Sequence, residues 1–139
     1  MDFRIAVKAF VVKDERLLII KRRSNDPHKP GVWDLPGGRL EPGEDPYKGL
    51  LRETKEEAGI EVEIRTVMNV HHFVRDDGQA ITMLIFLCTA NSEEVLLSEE
   101  HTDYEWIPIE TCTDTLDTHF HEDAEIYRTH RFDLFAQRS

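Results

Sequence analysis

Residues 38–60 read GRLEPGEDPYKGLLRETKEEAGI, and this stretch restricts the conformation of a 139-residue chain more tightly than any other. A glycine opens it, Asp45 precedes Pro46, and Gly59 stands near its end. An aspartate side chain accepts hydrogen bonds from the first unpaired N–H groups of a helix, and proline's fixed φ suits the first turn, so a helix begins at Pro46. Only Gly49 breaks the run before Gly59, which marks the C-terminal stop. The predicted helix therefore covers Pro46 to Ala58. On it Glu53, Glu56 and Glu57 share one face, because side chains three and four apart are neighbours. Tyr47, Leu50, Leu51, Thr54 and Ala58 form an adjacent face expected to press on a core, leaving Lys48 and Lys55 for solvent.

Like charges at these spacings disfavour a helix by about 0.2–0.5 kcal/mol per pair. A hard divalent cation removes the repulsion. Mg²⁺ or Mn²⁺ suits oxygen donors, and Mg²⁺ takes one or two carboxylates plus waters and substrate phosphates. A solvated acidic face, with Arg52 and Glu56 as an ordinary i,i+4 pair, also accounts for the pattern. The helix alone leaves both readings open.

The complete stretch is more specific. Gly38, five residues, Glu44, seven residues, then Arg52-Glu53-Thr54-Lys55-Glu56-Glu57-Ala58-Gly59-Ile60 resembles the signature of the Nudix hydrolases, with every charged and glycine position filled. Thr54 departs from the pattern's usual aliphatic residue, which bears on packing more than on chemistry. Trp33-Asp34-Leu35-Pro36-Gly37 and Tyr104-Glu105-Trp106-Ile107-Pro108 also resemble Nudix sequence, so the likeness extends over most of the chain.

That resemblance implies an α/β protein with the Nudix fold, an α/β/α sandwich around a mixed β-sheet, as a single domain over residues 1–139. It implies Mg²⁺ (or Mn²⁺) held by Glu53, Glu56 and Glu57, with the Gly38 carbonyl as a further oxygen. Glu53 or Glu57 would also orient or deprotonate water, Arg52 would hold a glutamate of the box, and Glu44 would steady the loop. A carboxylate from a later loop, Glu100 first and Glu99 second, would join the metal site or act as general base; an ordinary loop acid is the plain alternative. The implied reaction is hydrolysis of a phosphoric anhydride in a nucleoside diphosphate linked to another group.

Within that class, a MutT-like release of pyrophosphate from a nucleoside triphosphate is the leading expectation. Residues 61–107 contain no proline, which ADP-ribose-type relatives tend to carry after the box, and, apart from Tyr104, no tyrosine, the residue expected of dinucleoside polyphosphate relatives. An ADP-ribose or nucleotide-sugar pyrophosphatase is the alternative enzyme. A Nudix-fold nucleotide-binding regulator without turnover is the alternative of another class, and the presence of Arg52, Glu53, Glu56 and Glu57 opposes it.

A formal net charge of −11 opposes non-specific binding to nucleic acid polymers or anionic membranes, so a small nucleotide must be met by cations and local basic residues. Lys21-Arg22-Arg23 supplies such residues at the end of a strand: either a solvated edge, or a place where Arg22 or Arg23 grips a substrate phosphate. The longest apolar run, residues 83–88, is too short to cross a bilayer, and the N-terminus lacks a signal peptide's pattern, so a cytoplasmic protein is expected. Cys88 and Cys112 are far apart and read as buried thiols. His71-His72 and His119-Phe120-His121 have no spacing that completes a zinc set. Monomer and homodimer are equally compatible with the sequence.

Around the box, residues 3–12 and 16–20 read as a hairpin or adjacent strands, and residues 24–31 as a loop. Residues 32–35 form a short strand before the glycines. Residues 61–74 and 80–89 make a strand pair about the turn Asp76-Asp77-Gly78-Gln79, and residues 103–107 a further strand. Residues 111–117 read as a loop, and residues 122–135 as a helix packing through Ala124, Tyr127, Leu134 and Phe135. Phe10, His28, Phe73 and the 111–120 segment are candidates for contact with the base.

Overall fold

The structure is a computed structural model that describes residues 2–130. The chain opens with two long strands, β1 (Phe3–Lys13) and β2 (Arg16–Arg22), joined by a tight turn in which Asp14 and Glu15 both take positive φ, 50° and 60°. Positive φ at both central residues matches the right-handed twist of the flanking strands. Two short strands follow, β3 (Trp33–Asp34) and β4 (Gly37–Arg39), then helix α1 (Pro46–Ala58). Strands β5 (Val62–Val74), β6 (Ala80–Ala90) and β7 (His101–Pro108) precede 3₁₀ turns at Ile109–Asp114 and Thr118–Phe120 and helix α2 (His121–His130).

The sheet is mixed and forked. One edge of β1 pairs in parallel with β6, and β6 continues antiparallel to β5. The other edge of β1 is divided: Ala6, Val7 and Lys8 face Arg39, Gly38 and Gly37 of β4, whereas Val12 and Lys13 face Leu17 and Arg16 of β2. Beyond the turn β2 leaves β1 and pairs with β7 on one edge and with β3 on the other, Ile20 opposite Asp34. Residues 34–37 thus cross from one branch of the fork to the other.

Strand alternation divides the interior in two. Ala6, Phe10 and Val12 pack with Ile81, Met83, Ile85, Leu87, Ala124 and Tyr127 on the α2 side; Val7, Ala9 and Val11 pack with Leu18, Ile20, Leu50, Ala58 and Phe86 on the α1 side. A helix on each face of a mixed sheet is the expected α/β/α arrangement.

Three local expectations change. Tyr47 and Leu51 are 52% and 44% exposed, because the buried strip of α1 is Leu50, Thr54, Glu57 and Ala58; the Tyr47 ring reaches the core only edge-on to Phe86, with centroids 5.3 Å apart. The 111–117 segment is largely a 3₁₀ turn rather than an open loop, since burial of Ile109, Cys112 and Leu116 requires its backbone groups to be paired, as Leu116 N–H is to the Cys112 carbonyl at 2.9 Å. Helix α2 starts one residue early, at His121; Ala124 and Tyr127 are buried as expected, and Leu134 and Phe135 lie outside the described residues.

Candidate active site

Helix α1 is fixed at both ends by the residues that announce it. The Asp45 carboxylate accepts from Tyr47 N–H at 2.8 Å, and Gly59 at φ 60° donates its N–H to the Lys55 carbonyl at 3.0 Å. Thr54, in place of an aliphatic residue, is fully buried, and its hydroxyl donates to the Leu51 carbonyl at 3.1 Å, so no polar atom is stranded.

The two glycines of β4 bring the acidic face against backbone. Gly37 has φ 146°, and a side chain there would collide with the Val7 carbonyl. Its N–H donates to Glu57 Oε1 at 3.0 Å. A side chain on Gly38 would collide with the Glu53 carboxylate, so only glycine lets that carboxylate rest on the strand.

Arg52 organises the other side. Its Nε and Nη2 grip Glu44 at 2.7 and 2.9 Å, while Nη1 donates to Glu53 at 3.0 Å and to Glu56 at 3.1 Å. This two-pronged hydrogen bonding, with a further N–H bond from Glu41, holds the Glu44 carboxyl down at about 2. Glu53 is pushed the other way by burial, against the opposing pull of Arg52. Burial raises Glu57 to about 7, although the Lys8 charge and the Gly37 N–H both favour its ionised form, and nearby Asp34 and Glu53 add to the rise.

Glu57 is therefore not on an exposed face, as a simple helical projection suggests; it is only 7% exposed, and Glu56 is the outermost of the three. The carboxylates also point to different partners, Glu53 and Glu56 to Arg52 and Glu57 to Gly37. Among the described residues no three acidic, histidine or cysteine side chains are gathered into a cation site as they stand. The donors nonetheless fit a hard divalent ion: all are oxygens, two are carboxylates whose charge burial disfavours, and the Glu53 carboxylate lies directly against the Gly38 backbone, where a side chain would otherwise stand.

The remaining candidates separate. Arg22 is committed internally, to Asp26 at 2.8 Å and Asp34 at 2.9 Å. Arg23 is next to it, its Nε is buried without a hydrogen-bond partner, and its backbone N–H donates to the Glu100 carbonyl at 3.1 Å. The 96–100 loop is tied to the end of α1, with Leu96 N–H on the Ala58 carbonyl at 2.8 Å and Ser98 N–H on the Glu57 carbonyl at 3.0 Å. Glu99 and Glu100 are exposed on that loop.

Two buried groups near the acids were missed by the sequence reading. Lys8 carries a charge at a core-facing position of an otherwise apolar alternation, a signal legible in residues 3–12. His101 is 5% exposed with neither ring nitrogen partnered, and burial pushes it down to about 4; adjacent to two glutamates in a polar loop, it gave no sequence signal.

Known proteins share the sequence pattern and the fold. The NUDIX domain profile matches residues 2–130. The chain is 32% identical over 127 residues to nucleoside triphosphatase NudI of Enterobacter sp. (strain 638), covering 84% of this chain and 89% of that protein. It is 29% identical over 106 residues to an ADP-ribose pyrophosphatase of Methanocaldococcus jannaschii, covering 76% of this chain and 62% of the relative. A crystal structure of a MutT protein from Methanosarcina mazei Go1 superimposes with a TM-score of 0.84 at 27% identity, over 94% of this chain and 96% of that one. With the box helix, the forked mixed sheet and the profile match in agreement, the chain belongs to the NUDIX domain family and is a MutT-like Nudix hydrolase, a class that generally needs divalent metal ions.

Proposed function

We propose that this enzyme hydrolyses a nucleoside triphosphate to the monophosphate and pyrophosphate, using Mg²⁺ or Mn²⁺. The observation that carries the reading is the pair of desolvated carboxylates, Glu53 and Glu57, held over the Gly37-Gly38 backbone beside the Arg52–Glu44 clamp. Glu53, Glu56 and Glu57, with the Gly38 carbonyl, would hold the cation, which supplies charge neutralisation at the phosphoryl oxygens and a more acidic bound water. The chain's own residues do the rest. Arg52 restrains Glu53 and Glu56, Glu53 or Glu57 orients the attacking water, and Glu100 is the further candidate base on the loop anchored to α1.

Water adds to one phosphorus of the α–β anhydride through a new P–O bond and gives up a proton to the glutamate that orients it, while the bond from that phosphorus to the bridging oxygen breaks and the departing phosphate fragment keeps the electron pair, so that monophosphate and pyrophosphate result. Of the two arginines proposed for phosphate binding, Arg23 is retained, because Arg22 is already saturated by two carboxylates. The half-buried rings of Phe73 and His119, with centroids 5.0 Å apart, offer an aromatic surface for the base, backed by the buried Phe120 ring 4.9 Å from His119. Triphosphate chemistry draws support from the relative named a nucleoside triphosphatase, and ADP-ribose is the second reading because another relative carries that name.

Incubation with Mg²⁺ and a panel of nucleoside triphosphates, ADP-ribose and nucleotide sugars decides between them. Release of pyrophosphate from one or more triphosphates is expected. Cleavage of ADP-ribose alone would replace the substrate assignment, and metal-independent binding of nucleotide with no cleavage of any member would replace the enzyme by a binding module.

A further inference from the structure

Lys8 stands on β1 between Ala6 and Phe10, on the face that builds the core under α2, and only 7% of it is exposed. An ammonium group in such a place costs several kcal/mol unless it is paired and hydrogen-bonded. Its Nζ donates to Asp34 Oδ2 at 3.1 Å and to the Leu35 carbonyl at 3.1 Å. The same Asp34 carboxylate receives Arg22 Nη1 at 2.9 Å and Leu35 N–H at 2.7 Å, and Arg22 in turn holds Asp26. Two positive and two negative charges thus close on themselves inside the fold. Apolar groups of the same shape frequently match or exceed the stability of such a buried cluster, so stability does not account for a lysine here.

Its location does. The Asp34–Gly37 segment crosses the fork of the sheet, from the branch on β2 to the branch on β1, and lies at the base of the box carboxylates. Pro36 carbonyl accepts from Ala9 N–H at 2.8 Å, and Gly37 N–H is the donor to Glu57. Lys8 is opposite Gly37 in the β1–β4 register and grips the crossing from beneath. We propose that Lys8 is a positioning residue for the hydrolytic reaction: by holding Asp34 and the Leu35 carbonyl across the fork, it fixes the Gly37-Gly38 backbone against Glu57 and Glu53. The role rests on the hydrolytic reading of those carboxylates.

The test uses the full chain with Lys8→Met, which retains an apolar stem of similar length. Three quantities are read: thermal unfolding, kcat and KM for a nucleoside triphosphate with Mg²⁺, and the Gly37 amide resonance and its hydrogen exchange in metal-free protein. The expected result is a folded variant whose kcat falls by about 10-fold or more while KM stays within about threefold, the size of effect seen when supports of a metal site are removed. Gly37 N–H is expected to shift and to exchange faster. A Lys8→Met protein with native Gly37 amide behaviour, or one that loses thermal stability but keeps its kcat, overturns the proposal. Should Lys8→Met not fold, Lys8→Gln, whose amide still reaches one acceptor, is read by the same criteria. Should the wild-type protein cleave no nucleotide, the amide readout still decides the role of Lys8, so the two failures are distinguishable.

Discussion

Two acidic residues show how position decides chemistry. Glu57 is buried against a backbone donor, and burial disfavours its ionised form. Glu57→Gln keeps an oxygen that can accept from Gly37, so the fold is expected to survive with a melting temperature within a few degrees of wild type, while kcat falls by about 100-fold or more through loss of a charged ligand. Unchanged turnover in that variant would remove Glu57 from the site. Asp26 illustrates the opposite case: burial alone would raise it, but N–H donation from Lys29 and His28 and the Arg22 pair hold it at about 2. Its folded-state pKa lies below its ordinary value of 3.8, so its contribution is complete above that value and is lost as pH falls towards 2. On the order of 2 kcal/mol is at stake. Asp26→Asn is expected to lower stability by that order at neutral pH and to flatten the acid limb of a urea-unfolding stability profile between pH 4 and 2.

At the scale of the element, α1 is a helix whose ends are specified more strictly than its middle. Gly59 takes φ 60°, and a Cβ there would come within 2.8 Å of the Leu96 Cβ. Gly59→Ala therefore meets both left-handed backbone strain and a clash with the segment that leads to Glu100. A loss of about 1–2 kcal/mol is expected from the backbone term alone, lowering the melting temperature by several degrees. Because Leu96 N–H and Ser98 N–H are bound to the last turn of α1, the same variant is expected to loosen the 96–100 loop, visible as faster amide exchange there. A variant with wild-type melting and exchange would show that the cap is not what holds this end. The β1–β2 turn is a contrasting case, where two non-glycine residues take positive φ because a two-residue hairpin connection requires it at both central positions.

Across the whole molecule, the acids of the site belong to a chain of net charge −11, and two of them are desolvated. Binding of a cation to the folded form alone must stabilise it, by about 2.7 kcal/mol at one hundred times the dissociation constant. The melting temperature is thus expected to rise with added Mg²⁺ or Mn²⁺ and to return on chelation, and the rise should be smaller in Glu53→Gln and Glu57→Gln. Equal shifts in all three proteins would place the cation elsewhere. By itself the sequence determined the box helix, its caps, most strands and the family, since these depend on local φ preferences, side-chain periodicity and fixed spacing between neighbours in the chain. It also put three glutamates on one helix. Only the tertiary structure decided which of them is buried, that Arg22 is spent on Asp26 and Asp34 while Arg23 is not, and that Lys8 lies beneath the glycines. Those facts depend on how β2 diverges from β1 and on which charges meet across the resulting fork, between residues far apart in sequence, where desolvation and pairing rather than local propensity set the energy.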